Sequence, residues 1–196
     1  MTVIGVTGPT GAGKTTLLHV LEQAGFQVID CDRLYYELLR TDASFRQRLT
    51  EAFGPVFLPD GSLDRPALAA RVFGSSGELD RLNAIVYPAV CAAVKQKVKD
   101  CSQLGVAIDA INLVESGLDS LCACTVAVTA PAALRQQRIM VRDRLDAQRA
   151  AARMAAQKPD SFYREHCDLV LENGEGSPEA FAELVRRELA GLLQGG

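Results

Sequence analysis

The chain has 196 residues, 48% of them hydrophobic, which suits one domain with a well-buried core. Its formal net charge of −3 does not provide the basic face of a broad nucleic-acid-binding surface, so no nucleic acid partner is expected. No apolar run approaches the roughly 18 residues of a membrane span and no secretory leader is recognisable, so we expect a cytoplasmic protein, with no membrane partner, whose six cysteines are free thiols.

Strand-like apolar segments alternate with helical patterns along the chain. Strands are predicted at residues 2–7, 26–30, 106–109, 125–129 and 169–171. Helices are predicted at residues 14–23, 33–39, 44–53, 65–72, 76–100, 131–142, 146–157 and 178–193. This alternation predicts an α/β fold in which a parallel five-stranded sheet is covered by helices on both faces. Functional side chains are then expected just after each strand, at the carboxyl edge of the sheet.

A long helical segment, residues 31–104, separates the second and third predicted strands. It is far longer than a simple crossover between parallel strands, so we interpret it as a lobe inserted into the core formed by residues 1–30 and 105–196. Two roles are open for this lobe. It either holds an acceptor substrate or adds packing helices that touch no substrate.

Residues 8–15 read Gly-Pro-Thr-Gly-Ala-Gly-Lys-Thr and match the P-loop pattern G-x-x-x-x-G-K-[ST] between a strand and a helix. The residues expected to bind the nucleotide are Gly8, Gly11, Ala12, Gly13, Lys14, Thr15 and Thr16. Lys14 would reach the β- and γ-phosphates of a nucleoside triphosphate, and the Thr15 hydroxyl would help to hold Mg²⁺. The alternative is a glycine-rich turn that opens an ordinary helix.

Acidic residues follow the second and third predicted strands. Asp32 is our first choice to accept the proton of an acceptor hydroxyl, as phosphoryl transfer requires, and the alternative is that it caps a helix. Asp30 either orients Asp32, holds a metal-bound water or acts as a cap. Asp109 ends the third strand and is expected to bind Mg²⁺, directly or through water. Glu115 either touches metal or substrate or faces solvent.

Arginines are concentrated in the last third of the chain, where Arg138, Arg142, Arg149 and Arg153 form two i,i+4 pairs. Guanidinium groups match phosphate oxygens, so these helices, within residues 138–165, are interpreted as a lid over the γ-phosphate. The alternative is a solvated basic helix face.

Two short patterns in this region have more than one interpretation. Asn173 and Gly174 form a turn signal, and the turn either only reverses the chain or also lines the adenine pocket. Cys122 and Cys124 either form a metal-binding pair or, as we expect, have a structural role.

An ordered set of motifs covers nearly the whole chain. Residues 28–32 are similar to V-I-D-A-D, and Phe53-Gly54 with residues 60–68 resembles F-G…D-G-x-L-x-R-x-x-L. Val72-Phe73 and residues 82–88 resemble V-F…L-N-x-I-x-H-P. Residues 138–157 resemble R-x-x-x-R-D…R-x-x-x-Q, and residues 167–174 resemble A-D-x-V-I-x-N-x-G. Together with the P-loop, these motifs resemble the dephospho-CoA kinase family.

The resemblance implies a three-layer P-loop kinase fold with a nucleotide-binding sheet, a helical lobe for the CoA substrate and a lid. It implies transfer of the γ-phosphate of ATP, with Mg²⁺, to the ribose 3′-hydroxyl of dephospho-CoA, the final step of coenzyme A synthesis. Asp32 matches the catalytic acid of the family, and Arg142 matches its phosphate-binding arginine. With Lys14, these are the expected catalytic residues, and Asn173 is expected at the nucleotide.

The chain departs from the family pattern at a few positions. Tyr87 replaces a histidine, Arg135 replaces a glutamine, and the loop at Ile111 and Asn112 lacks a proline and a leucine. A kinase acting on another small-molecule acceptor therefore stays open. So does an ATP-binding switch protein, whereas a GTPase would normally show an N-K-x-D run, which the sequence lacks.

Overall fold

The computed structural model describes residues 1–72 and 76–193, so Phe73 of the Val72-Phe73 motif lies outside the described residues. The strands in these ranges are β1 (Thr2–Thr7), β2 (Phe26–Asp30), β3 (Gly105–Asp109), β4 (Cys124–Thr129) and β5 (Leu169–Glu172). The helices are α1 (Lys14–Gln23), α2 (Cys31–Thr41), α3 (Ala43–Phe53), α4 (Arg65–Val72), α5 (Ser76–Lys99), α6 (Ala132–Asp143), α7 (Ala147–Ala155), α8 (Asp160–His166), α9 (Pro178–Glu188) and α10 (Ala190–Leu193).

The strands form one sheet in the order β2-β3-β1-β4-β5. β1 pairs in parallel with β3 on one side and with β4 on the other, and β5 continues the parallel pairing from β4. β1, β3 and β4 are apolar along most of their length and largely buried, as expected for strands covered on both faces. The predicted α/β fold with a five-stranded parallel sheet and flanking helices is confirmed. The loop after β1 consequently leaves the middle of the sheet.

The chain divides into two compact units, each with its own hydrophobic core. One unit comprises Met1–Ile29 and Asp100–Gly196, and its core joins Ile4 of β1 and Leu17 of α1 to residues of β4 and α9. The other unit is Asp30–Lys99, a mostly helical segment whose core includes Phe45 and Leu49 of α3. The substrate-binding role expected of residues 31–104 stays a prediction.

Most predicted helices and strands begin and end within two residues of the observed ones. Two regions differ, because one predicted helix is divided and one observed helix was not predicted. The helix predicted at residues 178–193 is two helices. Its first part ends at Glu188, and the carbonyl of the C-cap residue Leu189 accepts hydrogen bonds from both Leu192 and Leu193 as a new turn begins. Helix α8 was not predicted, because seven residues are too few to show a helical period. Asp160 in its first turn is nevertheless an ordinary helix-start signal. None of the helices within the described ranges combines the length and apolar character that a bilayer crossing requires.

Candidate active site

The P-loop, residues 8–15, connects β1 to α1, and its last glycine has a left-handed backbone conformation. Gly13 is the N-cap of α1 and has φ 99°, a backbone conformation that residues with a Cβ rarely adopt. An added Cβ there would overlap the amide nitrogen of Asn173. Gly13 has no side chain to cap the helix, and the first N–H groups of a helix point beyond its N-terminus, where an anion can bind them.

The positively charged side chain of the P-loop, Lys14, lies along the loop itself. The Lys14 ammonium donates a hydrogen bond of 2.8 Å to the carbonyl of Gly8, so its side chain spans from the end of the loop back to its start. Thr15, the second residue of α1, is exposed. The loop therefore combines amide donors, a positive charge and a hydroxyl, which is the set that a nucleoside triphosphate requires.

Side chains from α6 and from the end of β5 hold the carbonyl groups of the loop. Arg138 donates to the carbonyls of Gly11 and Ala12, at 3.2 and 3.3 Å. The buried Asn173 amide donates to Ala12 at 2.9 Å, and its backbone N–H donates to Thr129 of β4 at 2.8 Å. A peptide group is planar and trans, so an Ala12 carbonyl that points toward Arg138 and Asn173 makes the Gly13 N–H point in the opposite direction. These contacts orient the loop amides.

Thr10 is held by a second group of side chains. The Arg135 guanidinium donates to its carbonyl at 3.2 Å. Gln157 makes two contacts, accepting from the Thr10 N–H at 3.0 Å and donating to its hydroxyl at 2.8 Å. Arg135 also donates to the Gln157 side chain at 3.3 Å and lies 3.7 Å from Asp160. This cluster joins the P-loop to α6 and to the segment between α7 and α8.

The chain after β3 stays beside the end of β1. Asp109 is level with Val6 in the parallel register, and the Ala110 N–H donates to the Val6 carbonyl at 3.1 Å. The Thr7 hydroxyl then donates to the Ile111 carbonyl at 3.0 Å. Asp109 therefore lies at the carboxyl edge next to the strand that carries the P-loop, as expected. Its role as a metal ligand stays a prediction.

Glu115 lies in the loop that follows. One carboxylate oxygen is 3.9 Å from the Lys158 ammonium, and the other is buried with no hydrogen-bond partner among the described residues. Glu115 is thus only partly exposed, which argues against the interpretation as a solvent-facing loop acid. Its negative charge adds to burial in raising the pKa of Tyr163 to about 12.

The two acids after β2 have different environments. The Asp30 carboxylate accepts a hydrogen bond of 2.9 Å from the Arg33 N–H and is the N-cap of α2, so the helix-cap interpretation holds for Asp30. Asp32 lies in the first turn of α2 and is exposed. The cap is therefore made by Asp30, and the catalytic role of Asp32 stays a prediction.

Arg142 forms a salt bridge with the neighbouring Asp143. Its guanidinium donates two hydrogen bonds, of 2.7 and 2.9 Å, to the Asp143 carboxylate, which also accepts one of 2.7 Å from Arg153. The hydrogen bond to Asp143 raises the pKa of Arg142, and the same contact lowers the pKa of Asp143. Arg142 follows Arg135 and Arg138 at helical spacing, so the three lie on one face of α6. Its contact with phosphate stays a prediction.

All six cysteines lie within the described ranges, and none of them forms a disulfide. Cys122 donates to the Leu118 carbonyl at 3.3 Å, and burial raises its pKa to about 12. Cys122 is thus partly buried and bonded to the backbone, and no group of three or more potential metal-ligating side chains occurs among the described residues, which favours the structural interpretation for this residue.

Sequence reasoning missed the part that Arg135 and Gln157 play. Arg135 stood out only as a departure from the family pattern, and Gln157 only as the end of a motif. Their shared partner, Thr10, is more than 120 residues away in sequence, so no local pattern could connect them. A signal was nevertheless present, because the departure fell on the helix face that also carries Arg138 and Arg142.

Comparison with known proteins identifies the family. A family model described as dephospho-CoA kinase matches residues 2–179. The dephospho-CoA kinase of Anaeromyxobacter dehalogenans (strain 2CP-C) is 38% identical over 199 aligned positions, which cover 100% of this chain and 94% of that protein. The crystal structure of a Thermus thermophilus protein is 31% identical, covers 97% of each chain and has a TM-score of 0.81.

A dephospho-CoA kinase from Campylobacter jejuni shares the fold, with a TM-score of 0.70, 21% identity and coverage of 98% of each chain. The match of the family model extends over both units described above, from β1 to the first residues of α9. The chain therefore belongs to the dephospho-CoA kinase family.

Proposed function

We propose that this chain transfers the γ-phosphate of ATP to the ribose 3′-hydroxyl of dephospho-CoA, giving CoA and ADP. The observation that carries the proposal is the P-loop, whose carbonyls are held outward by Arg138 and Asn173 while Lys14 lies along it. Family membership then selects the acceptor. Binding of an anionic nucleotide follows from the loop, and the choice of dephospho-CoA follows from the family.

Three side chains have the central roles in this proposal. Lys14 neutralises charge on the β- and γ-phosphates, and Arg142 binds the transferred group from the α6 face that already contacts the loop through Arg138. Asp32 accepts the proton of the 3′-hydroxyl as that oxygen attacks phosphorus. The segment around α7, with Arg153, is proposed to act as the lid. Asn173, beside the loop, is proposed to adjoin the nucleotide.

The residues present suit a magnesium ion brought in with ATP. Thr15 offers a hydroxyl oxygen and Asp109 a carboxylate, and Mg²⁺ prefers such hard oxygen ligands. Mg²⁺ usually takes few ligands from the protein and completes its coordination with phosphate and water, so two donors suffice. When bound, the ion would neutralise charge on the phosphate oxygens.

The acceptor is proposed to bind the helical unit, residues 30–99. This unit has a cavity of about 330 Å³ whose lining includes Tyr36, Arg40 and Arg65. The Arg65 guanidinium lies 4.6 Å from the centre of the Tyr36 ring. Two guanidinium groups beside an apolar wall suit a substrate with both an anionic diphosphate and a long neutral arm. The free cysteines fit a reducing compartment, so we place the reaction in the cytoplasm.

A coupled assay tests the proposal. Purified protein with Mg²⁺ and ATP is given dephospho-CoA, ADP release is followed continuously, and CoA is identified by chromatography. Lys14→Met is the matched negative control. Absence of CoA at millimolar dephospho-CoA, with ATP binding intact, would refute the proposal and favour an ATP-binding switch.

A different acceptor is the second candidate, favoured by Tyr87 and by the Ile111-Asn112 loop, which depart from the family pattern. A panel of nucleosides and nucleoside monophosphates in the same assay decides between the two. A higher kcat/KM for any of these than for dephospho-CoA would favour the second candidate.

A further inference from the structure

Thr10 has every polar group engaged, and all its side-chain partners come from the last third of the chain. It is 7% exposed. Its N–H and its hydroxyl are both bonded to Gln157, at 3.0 and 2.8 Å, and its carbonyl accepts from Arg135 at 3.2 Å. A residue held in this way has one backbone orientation available to it.

Arg135 is a buried cation, itself 7% exposed. Burying a guanidinium costs free energy unless its N–H groups are bonded, and here they reach Thr10, Gln157 and, at 3.7 Å, Asp160. The planar fork fixes the angle between these contacts, which a flexible point charge does not. Glutamine, the residue expected here from the family pattern, has one amide nitrogen and cannot make the same set of contacts.

We propose that Arg135 and Gln157 act as a positioning pair that orients the P-loop through Thr10. The Thr10 carbonyl and the Gly11 N–H belong to one planar trans peptide group, so they point in opposite directions. When Arg135 holds the carbonyl, the Gly11 N–H is turned toward the side where phosphate binds. Arg135 touches no substrate in this proposal and acts only through the backbone.

The pair also links the P-loop to the segment between α7 and α8. Gln157 lies two residues beyond α7, Asp160 is the first residue of α8, and Lys158 between them is 3.9 Å from Glu115. Order in the P-loop and order in this segment therefore depend on the same side chains. Nucleotide that binds the loop stabilises the segment, and loss of either side chain loosens both.

Titration calorimetry with ADP and with inorganic tripolyphosphate tests the proposal. Arg135→Met is expected to weaken both ligands about tenfold, the order expected for one hydrogen bond to a charged group. Arg135→Gln should fall between Met and wild type, and Arg135→Lys should recover part of the loss. Arg135→Met should raise the Kd of both ligands by the same factor, because a residue that touched the adenine would affect ADP alone.

The double variant Arg135→Met/Gln157→Met separates positioning from general damage. Each single change should weaken ADP about tenfold, and the double change should weaken it far less than a hundredfold, since both act through Thr10. In steady-state assays the KM for ATP should rise while the KM for dephospho-CoA stays constant. Gln136→Met is the matched control, because Gln136 lies on the same helix but bonds to Ala147 of α7.

The proposal rests on the nucleotide-binding part of the proposed function, and the two fail differently. Wild-type protein that binds neither ADP nor ATP would overturn that function. Wild-type binding with unchanged affinity in Arg135→Met would overturn only the positioning role, as would strict additivity in the double variant. If Arg135→Met does not fold, Arg135→Lys decides, and wild-type affinity in that variant for both ligands would count against the proposal.

Discussion

Replacement of Gly13 by alanine tests how closely the nucleotide loop and Asn173 depend on each other. The new Cβ has two costs. The left-handed backbone at Gly13, φ 99°, is unfavourable for an L-residue by about 1–2 kcal/mol. The Cβ also displaces the Asn173 amide, which breaks its buried hydrogen bond to Ala12 and costs about 1–3 kcal/mol more. Gly13→Ala should therefore lower the free energy of unfolding by about 2–5 kcal/mol.

A double-mutant cycle measures the second cost alone. In an Asn173→Ala background the hydrogen bond is already absent, so Gly13→Ala should cost only the backbone penalty, about 1–2 kcal/mol. Gly117→Ala is the matched control, because Gly117 has φ 75° and an added Cβ there has no neighbour within 4 Å. It should lose about 1–2 kcal/mol and no more.

Urea denaturation of the four proteins of the cycle and of Gly117→Ala supplies the free energies of unfolding. ATP titration of each folded variant reports whether the loop still binds phosphate, and Gly13→Ala should bind weakly. The reasoning is refuted if Gly13→Ala costs no more than Gly117→Ala, or if the changes at positions 13 and 173 are additive.

Two further predictions concern carboxylates. Asp32→Asn should lower kcat by about a hundredfold or more while leaving the affinity for ATP unchanged, as loss of a general base requires. The control variant Asp30→Asn keeps a helix-capping side chain and should stay active. Equal rates in the two variants would remove Asp32 from catalysis. The Asp168 carboxylate accepts hydrogen bonds of 2.7 Å from the Thr125 hydroxyl and N–H, which lower its pKa, so its stabilisation is present near neutral pH and is lost as the pH falls through that lowered pKa. Urea denaturation should accordingly show wild type more stable than Asp168→Asn at pH 7, with the difference shrinking below about pH 4, and a difference independent of pH would contradict this assignment.

Local patterns were enough to predict most of the sheet and the P-loop. β1 is a short run rich in β-branched and apolar residues, and the loop after it is defined by glycines at fixed spacing. Both signals lie within a few residues of the structure they specify. The helix cap made by Asp30, one of the three roles that the sequence left open, is also local, because its hydrogen bond reaches only three residues along the chain.

Contacts between distant parts of the chain could not be predicted in this way. Asn173 was expected near the nucleotide, but its bond to Ala12, 161 residues away, follows only from the way the strands are ordered in the sheet. Arg135 stood out only as a departure from the family pattern, with no sign of whether it is exposed or buried, and the structure shows that it is buried. An arginine on a helix gives the same local signal in both situations, and only the fold separates them.

The dependence of the P-loop on distant residues has a consequence for how the protein is made. The neighbours of β1 in the sheet, β3 and β4, come later in the chain, and so does Asn173, whose side chain donates a hydrogen bond to the Ala12 carbonyl. A ribosome produces the loop early, at a time when the groups that shape it have not been synthesised. Such distant contacts slow folding, and domains commonly complete their packing only when the chain has emerged. The loop therefore acquires its working shape only after the residues that hold it, which lie up to 161 residues further along the chain, have been synthesised.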